Sequence, residues 1–138
     1  MSLKASISGI RGIVGESLTP DVIVKYVSAY SQMMPAGPIL LGRDSRPSGD
    51  VLCNFVAYLL NCLGREVIEI GIVPTPTVLF CVKEKGYAGG IVITASHNPA
   101  EYNGYKVYWE DGAQIVPPVD KGIMDEVKAV TDFSSIKS

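Results

Sequence analysis

Short apolar runs alternate along the chain with segments in which apolar residues recur at helical spacing. Runs rich in apolar, β-branched and aromatic residues predict strands. Four such runs occur, and we predict strands at residues 39–41, 65–70, 90–94 and 105–109. Between them, apolar residues stand three or four positions apart, as on the buried face of a helix.

Capping and stop signals bound the predicted helices. A hydroxyl, a proline and an acid in succession at residues 19–21 mark a helix start. A glycine often stands just past a helix end. The predicted helices begin at residues 19–21, run from Ser48 to Gly64 and from Thr75 to about Gly86, and begin again near Pro118.

This order of elements predicts the fold class. Strands that alternate with helices are typical of α/β domains. The last predicted strand follows the third after only about ten residues, which is short for a helical crossover, so we expect it to run antiparallel or at an edge. We therefore predict an α/β fold with a mixed, mostly parallel four-stranded sheet that is covered by helices on both faces.

Length and composition predict one packed domain over residues 1–138. Hydrophobic residues make up 47% of the chain and charged residues 19%, which excludes a disordered protein. The final residues include Phe133 and Ile136, with no further element for them to pack against. We therefore expect the chain to end near a domain boundary.

Charge and cysteine content exclude several other classes. The net charge is −2 and basic residues form no run, so we expect no nucleic-acid partner. No apolar stretch approaches the roughly 20 residues of a membrane span, and no secretory signal is visible, so we expect no membrane partner either. Cys53, Cys62 and Cys81 are odd in number and accompany a single histidine, which argues against a disulfide scaffold and a zinc site. Reduced thiols fit a cytoplasmic protein.

The third predicted strand ends in the sequence TASHNP at residues 94–99. Ligands of open α/β sheets gather beyond the carboxyl ends of the strands, so Ser96 is placed to be an exposed nucleophile. His97, the one histidine of the chain, is adjacent to it. An ordinary strand-to-loop turn explains the pattern equally well. A hydrolase elbow is not indicated, because G-x-S-x-G is absent.

Basic residues occur near the same predicted strand ends. Asn103-Gly104 makes a turn before Lys106, and this connection can bring Lys106 close to Ser96, where an amine suits proton transfer or stabilisation of a phosphoryl anion. The alternative is a solvated lysine on an edge strand.

Two predicted loops carry arginines. Residues 8–12 include Arg11, and residues 42–47 include Arg43, Asp44 and Arg46. An arginine offers a bidentate fork to an anion, whereas the alternative is a structural pair with an acid such as Asp44. The glycine-rich nucleotide-binding motifs are absent.

Taken together, four motifs resemble one family. SGIRG at 8–12, GRDSRPSG at 42–49, TASHNP at 94–99 and YNGYK at 102–106 occur in this order. The combination resembles the N-terminal domain, domain I, of the α-D-phosphohexomutases (the phosphoglucomutase/phosphomannomutase family) over residues 8–130. The resemblance implies a four-domain enzyme with its active site in a central cleft, so that this chain lacks the further domains of its parent.

The resemblance also implies roles for particular residues. Ser96 corresponds to a phosphoserine that donates its phosphoryl group to a hexose phosphate. A bound hexose 1,6-bisphosphate forms and returns the other phosphate, so that hexose 1-phosphate and 6-phosphate interconvert. Lys106 corresponds to the general acid/base, His97 to a histidine that assists the reaction, and Arg11 to an active-site arginine. We further predict binding of substrate or phosphate by Arg43, Arg46, Asn98 and Asn103.

A metal ion is implied as well. In the family, Mg²⁺ is held by an oxygen of the phosphoserine, here Ser96, and by three aspartates of a D-x-D-x-D loop in the second domain. No D-x-D-x-D occurs in this chain, so the metal site would be incomplete. Hexose 1,6-bisphosphate is the expected activator.

The sequence leaves the substrate open between several hexose phosphates. We expect a phosphoglucomutase or phosphomannomutase, and favour a phosphoglucosamine mutase less, because that group usually carries SASHNP where Thr94 stands here. The chain alone is expected to fold but to turn over almost no substrate. A non-catalytic module that binds sugar phosphates is the alternative. A serine hydrolase built on Ser96 and His97 is disfavoured, because neighbouring residues rarely place a base on the adjacent hydroxyl.

Overall fold

A computed structural model of the chain describes residues 3–6, 9–96 and 98–108. This part of the chain forms a single six-stranded sheet and three helices. In chain order the elements are β1 (Lys4–Ser6), β2 (Gly9–Ile13), α1 (Pro20–Met33), β3 (Ile39–Arg43), α2 (Gly49–Cys62), β4 (Val67–Ile72), α3 (Thr75–Lys85), β5 (Gly89–Ile93) and β6 (Tyr102–Tyr108).

The three helices follow the predicted signals. Pro20 occupies the first turn of α1, where its missing N–H costs nothing. The Thr19 hydroxyl donates to Asp21 at 2.6 Å and lowers the pKa of that carboxyl, rather than capping a backbone N–H. Helix α3 ends at Gly86, whose φ of 69° is left-handed and therefore suits glycine.

The strand order in the sheet is β1-β2-β6-β5-β3-β4. All four predicted strands are present as β3, β4, β5 and β6, but β6 begins at Tyr102, so Asn103 and Gly104 lie in the strand and do not form the predicted turn. Among them, β3 pairs in parallel with both β4 and β5, whereas β5 and β6 are antiparallel, as the short connection between them requires. The mixed sheet that the sequence predicts is confirmed, but it is not mostly parallel, because three of the five strand pairings among the described residues are antiparallel.

The predicted strand count of four was too low, because β1 and β2 extend the sheet. Both pair antiparallel, β2 with β6 and β1 with β2. Residues 8–12 (SGIRG) were predicted as a loop, since two glycines weaken the strand signal, whereas residues 9–13 form β2. Pairing with β6 makes this segment a strand, and β6 consequently lies inside the sheet and not at its edge.

Helices cover both faces of the sheet, as predicted. On the α1/α2 face, both helices pack on alternate strand residues, which include Ile39, Leu41, Ile91 and Ile93. On the opposite α3 face, the helix packs on the intervening residues, which include Leu40 and Val92. Alternation of side chains along each strand accounts for the two separate cores.

Tyr30 of α1 binds two strands through its hydroxyl. The side chain is 1% exposed, and burial raises its pKa. The single proton of the hydroxyl is shared between the carbonyl oxygens of Tyr108, at 2.8 Å, and Gly90, at 3.2 Å. Helix α1 is thereby fixed to β5 and β6, the strands on either side of the 94–101 connection.

Arg65 closes the C-terminal end of α1. Its guanidinium donates to the hydroxyl and carbonyl of Ser31 and to the carbonyls of Met34, Pro35 and Gly37. The last turn of α1 contains no basic residue of its own. Arg65 therefore supplies the positive charge that a helix C-terminus favours.

Other predictions concern residues outside the described ranges. Trp109 and the helix predicted from Pro118 lie there. Within the described ranges, Cys53 and Cys62 are buried free thiols, and Cys81 is a half-buried one. None of the helices in this part of the chain combines the length and apolar character that a bilayer crossing requires.

Candidate functional site

Two loops meet at the edge of the sheet where β3 and β5 end, which we call the carboxyl edge. The strands are parallel neighbours, so the loop of residues 44–48 and the connection of residues 94–101 lie side by side. The amide of Asp44 donates to the Ile93 carbonyl at 3.1 Å. The same edge receives the end of β2 and the start of β6.

Ser96 has an unusual backbone conformation at this edge. Its φ is 55°, and within the described residues no other side-chain-bearing residue has a positive φ. The amide of Asn98 donates to the carbonyl of Ala95 at 3.1 Å and closes a tight turn. A left-handed non-glycine residue costs roughly 1–2 kcal/mol, so its surroundings must hold it. Such strain is a frequent feature of functional sites.

Hydrogen bonds hold both peptide groups of Ser96. Its amide donates to the Thr94 hydroxyl oxygen at 3.0 Å, and that hydroxyl donates to Oδ2 of Asp44 at 2.6 Å. The Ser96 carbonyl accepts from Nη2 of Arg46 at 2.6 Å. Two residues of the neighbouring loop thus hold Ser96: Arg46 directly, and Asp44 through Thr94. The side chain of Ser96 is half-buried.

Arg46 bonds to the connection rather than facing open solvent. Its Nε donates to Oδ2 of Asp44 at 3.3 Å, and its Nη1 donates to the carbonyls of Pro99 at 2.8 Å and Tyr102 at 3.4 Å. The side chain is 12% exposed. All three guanidinium nitrogens therefore bond to protein oxygens, and binding of substrate phosphate by Arg46 stays a prediction.

Asn103 also has an internal role. Its side chain is completely buried, Nδ2 donates to the Ser48 hydroxyl at 2.8 Å, and Oδ1 accepts from the amide of Gly104 at 2.9 Å. These bonds join the start of β6 to the 44–48 loop. The predicted binding of substrate by Asn103 does not fit this burial.

Arg11 and Lys106 lie on the same face of the sheet. Arg11 pairs with Gly104, and Lys106 pairs with Gly9 and with Val92 of the α3 face. Arg11 and Lys106 are diagonal neighbours across two strands, a relation that places their Cα atoms about 7–8 Å apart. Arg11 is exposed and Lys106 is half-buried. Two cationic side chains are thus adjacent near the carboxyl edge, although Arg11 lies in a strand and not in the predicted loop.

Gly104 permits this approach of the two strands. A Cβ at this position would collide with the carbonyl oxygen of Ile10 and with Arg11. The glycine of the YNGYK motif is therefore required by packing between β2 and β6. It brings Arg11 into the row that also contains Thr94, whose amide donates to the Gly104 carbonyl at 3.0 Å.

Arg43 is separated from these two cations. It pairs with Ile93, whose side chain lies in the α1/α2 core, so Arg43 belongs to that face. Its Nη1 makes a long bond of 3.4 Å to the Asp44 carbonyl. The basic residues predicted for one site are therefore divided between two faces. A phosphate held by Arg11 and Lys106 would not also contact Arg43 on the same face.

His97 and Asn98 remain predictions. His97 lies outside the described residues. The Asn98 amide closes the turn beside Ser96, and its side chain is half-buried. The sequence analysis missed the part played by Thr94. A threonine two residues before the serine is a recognisable signal, because threonine hydroxyls commonly bond to the backbone two residues further on.

A concavity lies away from these residues. An open depression of about 640 Å³ is lined by residues around Arg65, including Gln32, Gly37 and Glu66. It lies at the edge where β3 and β4 begin. The Arg65 guanidinium is already bonded to helix α1, so this depression offers no comparable set of chemical groups.

Comparison with known sequences places this geometry in context. Residues 3–133 match the family described as phosphoglucomutase/phosphomannomutase, alpha/beta/alpha domain I. A protein of Sulfurisphaera tokodaii named phosphoglucosamine/phosphogalactosamine mutase is 47% identical over 108 residues, which cover 78% of this chain and 24% of the relative. A probable phosphoglucosamine mutase of Thermococcus kodakarensis is 38% identical over 130 residues, which cover 94% of this chain and 28% of the relative.

Solved structures agree in fold. A putative phosphomannomutase from Thermus thermophilus superposes with a TM-score of 0.81 at 26% identity, covering 100% of this chain and 32% of the other. A phosphoglucomutase/phosphomannomutase family protein from Burkholderia thailandensis superposes with a TM-score of 0.77 at 29% identity, covering 100% of this chain and 33% of the other. The chain thus spans about a quarter to a third of the length of these proteins.

Proposed function

Because the chain belongs to the phosphoglucomutase/phosphomannomutase family and matches its domain I over residues 3–133, we propose that it serves as domain I of a longer phosphohexomutase. In this proposal the enzyme interconverts the 1- and 6-phosphates of a hexose through a phosphoserine at Ser96 and a bound hexose 1,6-bisphosphate. The observation that carries it is the left-handed Ser96, held at the carboxyl edge by two loops.

The charges of the site suit a phosphoserine. A phosphorylated serine carries nearly two negative charges and three acceptor oxygens. Arg11 and Lys106, adjacent on one face near this edge, would offset that charge. When phosphoryl transfer occurs, the bond from phosphorus to Ser96 Oγ breaks and a bond to a sugar hydroxyl forms. Lys106 is the proposed general acid/base: as a neutral amine it would accept the proton that this hydroxyl loses, and the ammonium so formed would then offset phosphate charge together with Arg11.

Metal binding would need ligands from elsewhere. The described residues contain no group of three or more histidine, cysteine, aspartate or glutamate side chains that could hold an ion. Asp44 is already engaged by Thr94 and Arg46. The chain's contribution to a Mg²⁺ site would be a phosphate oxygen on Ser96, with the remaining ligands in a second domain. The bound ion would neutralise charge on the transferring phosphoryl group.

The names of the relatives change the expected substrate. Thr94 led us to favour glucose or mannose phosphate, whereas the relatives at 38% and 47% identity are named for phosphoglucosamine. We therefore propose glucosamine phosphate as the substrate to test first, with glucose and mannose phosphates as comparisons. The residue before Ala95 is a poor guide to substrate, because its hydroxyl bonds to Asp44 and Ser96 within the protein.

The phosphoserine is tested in the full-length enzyme. Glucosamine 6-phosphate, a trace of its 1,6-bisphosphate and Mg²⁺ should support turnover, and intact mass spectrometry should detect one phosphoryl group on Ser96. Ser96→Ala should remove both. Ser45→Ala is the matched control, because Ser45 is an exposed serine of the adjacent loop. A Ser96→Ala enzyme that keeps a near-normal rate would exclude the phosphoserine assignment.

The 138-residue chain alone should behave differently from the full-length enzyme. It holds Ser96, Arg11 and Lys106 but spans about a quarter of its relatives, so it should turn over almost no hexose phosphate. The same coupled assay measures this. Turnover by the short chain at the rate of the full-length enzyme would contradict the proposal that other domains complete the site.

A further inference from the structure

We propose that Asp44, Thr94 and Arg46 form a clamp that positions the Ser96 hydroxyl for phosphoryl transfer. The three residues act on the backbone of Ser96 and do not touch the substrate. This inference rests on the proposed function, since it assigns a purpose to the geometry around the same serine. It differs from the initial expectation, in which Arg46 binds phosphate directly.

The clamp grips Ser96 from both sides. On one side, Thr94 accepts from the Ser96 amide at 3.0 Å. On the other, Arg46 donates to the Ser96 carbonyl at 2.6 Å. Fixing both peptide groups fixes the rotation of the residue between them. The Cα–Cβ bond of Ser96 is therefore aimed by main-chain contacts, which leave the hydroxyl oxygen itself for chemistry.

Asp44 holds both arms of the clamp together. Its Oδ2 accepts from the Thr94 hydroxyl at 2.6 Å and from Nε of Arg46 at 3.3 Å, and its Oδ1 accepts from the Arg46 amide at 3.1 Å. The Thr94 hydroxyl has a single proton. Because that proton goes to Asp44, the lone pairs of Thr94 Oγ1 face the Ser96 amide.

Burial and charge favour this arrangement. Thr94 is 8% exposed and the Arg46 side chain is 12% exposed, so water competes weakly for their donor groups, whereas the Asp44 side chain that both contact is 33% exposed. Asp44 and Arg46 form an ion pair with no net charge. The clamp therefore adds no net charge near a dianionic phosphoserine, and neutralisation of the phosphate is left to Arg11 and Lys106.

A pair of substitutions at one position isolates the hydroxyl. Thr94→Val keeps the shape of the side chain and removes the oxygen, whereas Thr94→Ser keeps the oxygen. In the full-length enzyme, Thr94→Val should lower kcat about 100-fold, the scale expected for a misplaced reacting group, and should change KM less than about threefold. Thr94→Ser should stay within about threefold of the wild-type kcat. The rate at which hexose 1,6-bisphosphate phosphorylates Ser96, followed by intact mass, should fall in parallel with kcat.

Asp44→Asn provides a second variant if the valine protein does not fold. It preserves the size of the side chain, but one acceptor oxygen becomes an NH₂ donor, which faces other donors. We expect kcat to fall between about 10- and 100-fold with KM again little changed.

The outcomes separate this inference from the function on which it rests. A folded, phosphorylated Thr94→Val enzyme within about threefold of wild-type kcat would overturn the clamp alone, and so would a Thr94→Ser enzyme as slow as Thr94→Val. A wild-type enzyme with neither activity nor phosphate on Ser96 would overturn the proposed function and the clamp together. A loss of kcat in Thr94→Val that is absent in Thr94→Ser supports both the clamp and the proposed function.

Discussion

Replacing Arg65 by methionine should destabilise the chain without affecting its chemistry. Arg65 makes five hydrogen bonds to the end of α1 and to the residues that follow it. It lies where β3 and β4 begin, whereas Ser96 lies beyond the end of β5, at the opposite edge of the sheet. Methionine keeps much of the aliphatic stem and removes all five donors.

The burial of the acceptors determines the size of the effect. Two of the carbonyls belong to Ser31 and Met34, which are 7% and 5% exposed, and the others belong to residues that water reaches more easily. Leaving a buried acceptor without a donor costs about 1–3 kcal/mol. Arg65→Met should therefore lower the free energy of unfolding by about 3 kcal/mol, including the loss of a positive charge at the helix end. Arg65→Lys keeps the charge and some donors, and should lose about half as much.

Urea unfolding followed by circular dichroism measures this difference in the 138-residue chain. The m-value should stay the same, because the folded and unfolded surfaces barely change. Glu66→Gln is the control: Glu66 is an exposed neighbour, and its substitution should cost less than about 0.5 kcal/mol. An Arg65→Met chain that loses less than about 1 kcal/mol would refute this account of the helix end.

Two further predictions concern buried groups. Tyr30→Phe should lower the free energy of unfolding by about 1–3 kcal/mol, because the carbonyls of Gly90 and Tyr108 lose their donor; an unchanged urea midpoint would contradict this. Burial raises the pKa of the Cys53 thiol to about 11, so at about pH 8 about one molecule in a thousand carries the reactive thiolate at this position. Iodoacetamide should label the half-buried Cys81 before Cys53, as peptide mass mapping will show. The raised pKa favours the neutral Cys53 thiol in the folded state. The contribution of this thiol to stability is therefore complete below about pH 9 and is lost as the pH rises through about 11. Faster labelling of Cys53 than of Cys81 at about pH 8 would argue against a buried environment for Cys53.

Local patterns predicted most of the fold. For the three helices within the described residues, predicted starts and stops were correct to within about two residues, since residues such as Pro20 and Gly86 mark them through their own backbone preferences. The four apolar strands were also found: β3 and β5 are buried and leave a dense apolar signal, whereas β4 and β6 are rich in β-branched or aromatic residues. Strand β2 was missed, because its two glycines carry no such signal and its pairing partner lies far along the chain.

The site was predicted less completely than the fold. The TASHNP motif located Ser96, but nothing local to Arg46 shows that its guanidinium reaches the carbonyls of Pro99 and Tyr102. Residue type gives arginine the ability to bind phosphate. Only the packing of the two loops shows that Arg46 is occupied and that Arg43 lies on the other face. Contacts of this kind depend on tertiary structure and leave no mark in the neighbouring sequence.

The position of β6 in the middle of the sheet has a consequence for biosynthesis. β2 leaves the ribosome early, yet its partner strand is β6, which is made last among the described elements. The parallel strands β3, β4 and β5 can associate as soon as their helices form. Strands β1 and β2 pair with each other but cannot join this sheet until residues 102–108 have been made. Long-range pairings of this kind are slow to form. Arg11 therefore meets Lys106 late in the maturation of the chain, and a nascent protein stalled before β6 would possess a partial core but no cationic pair.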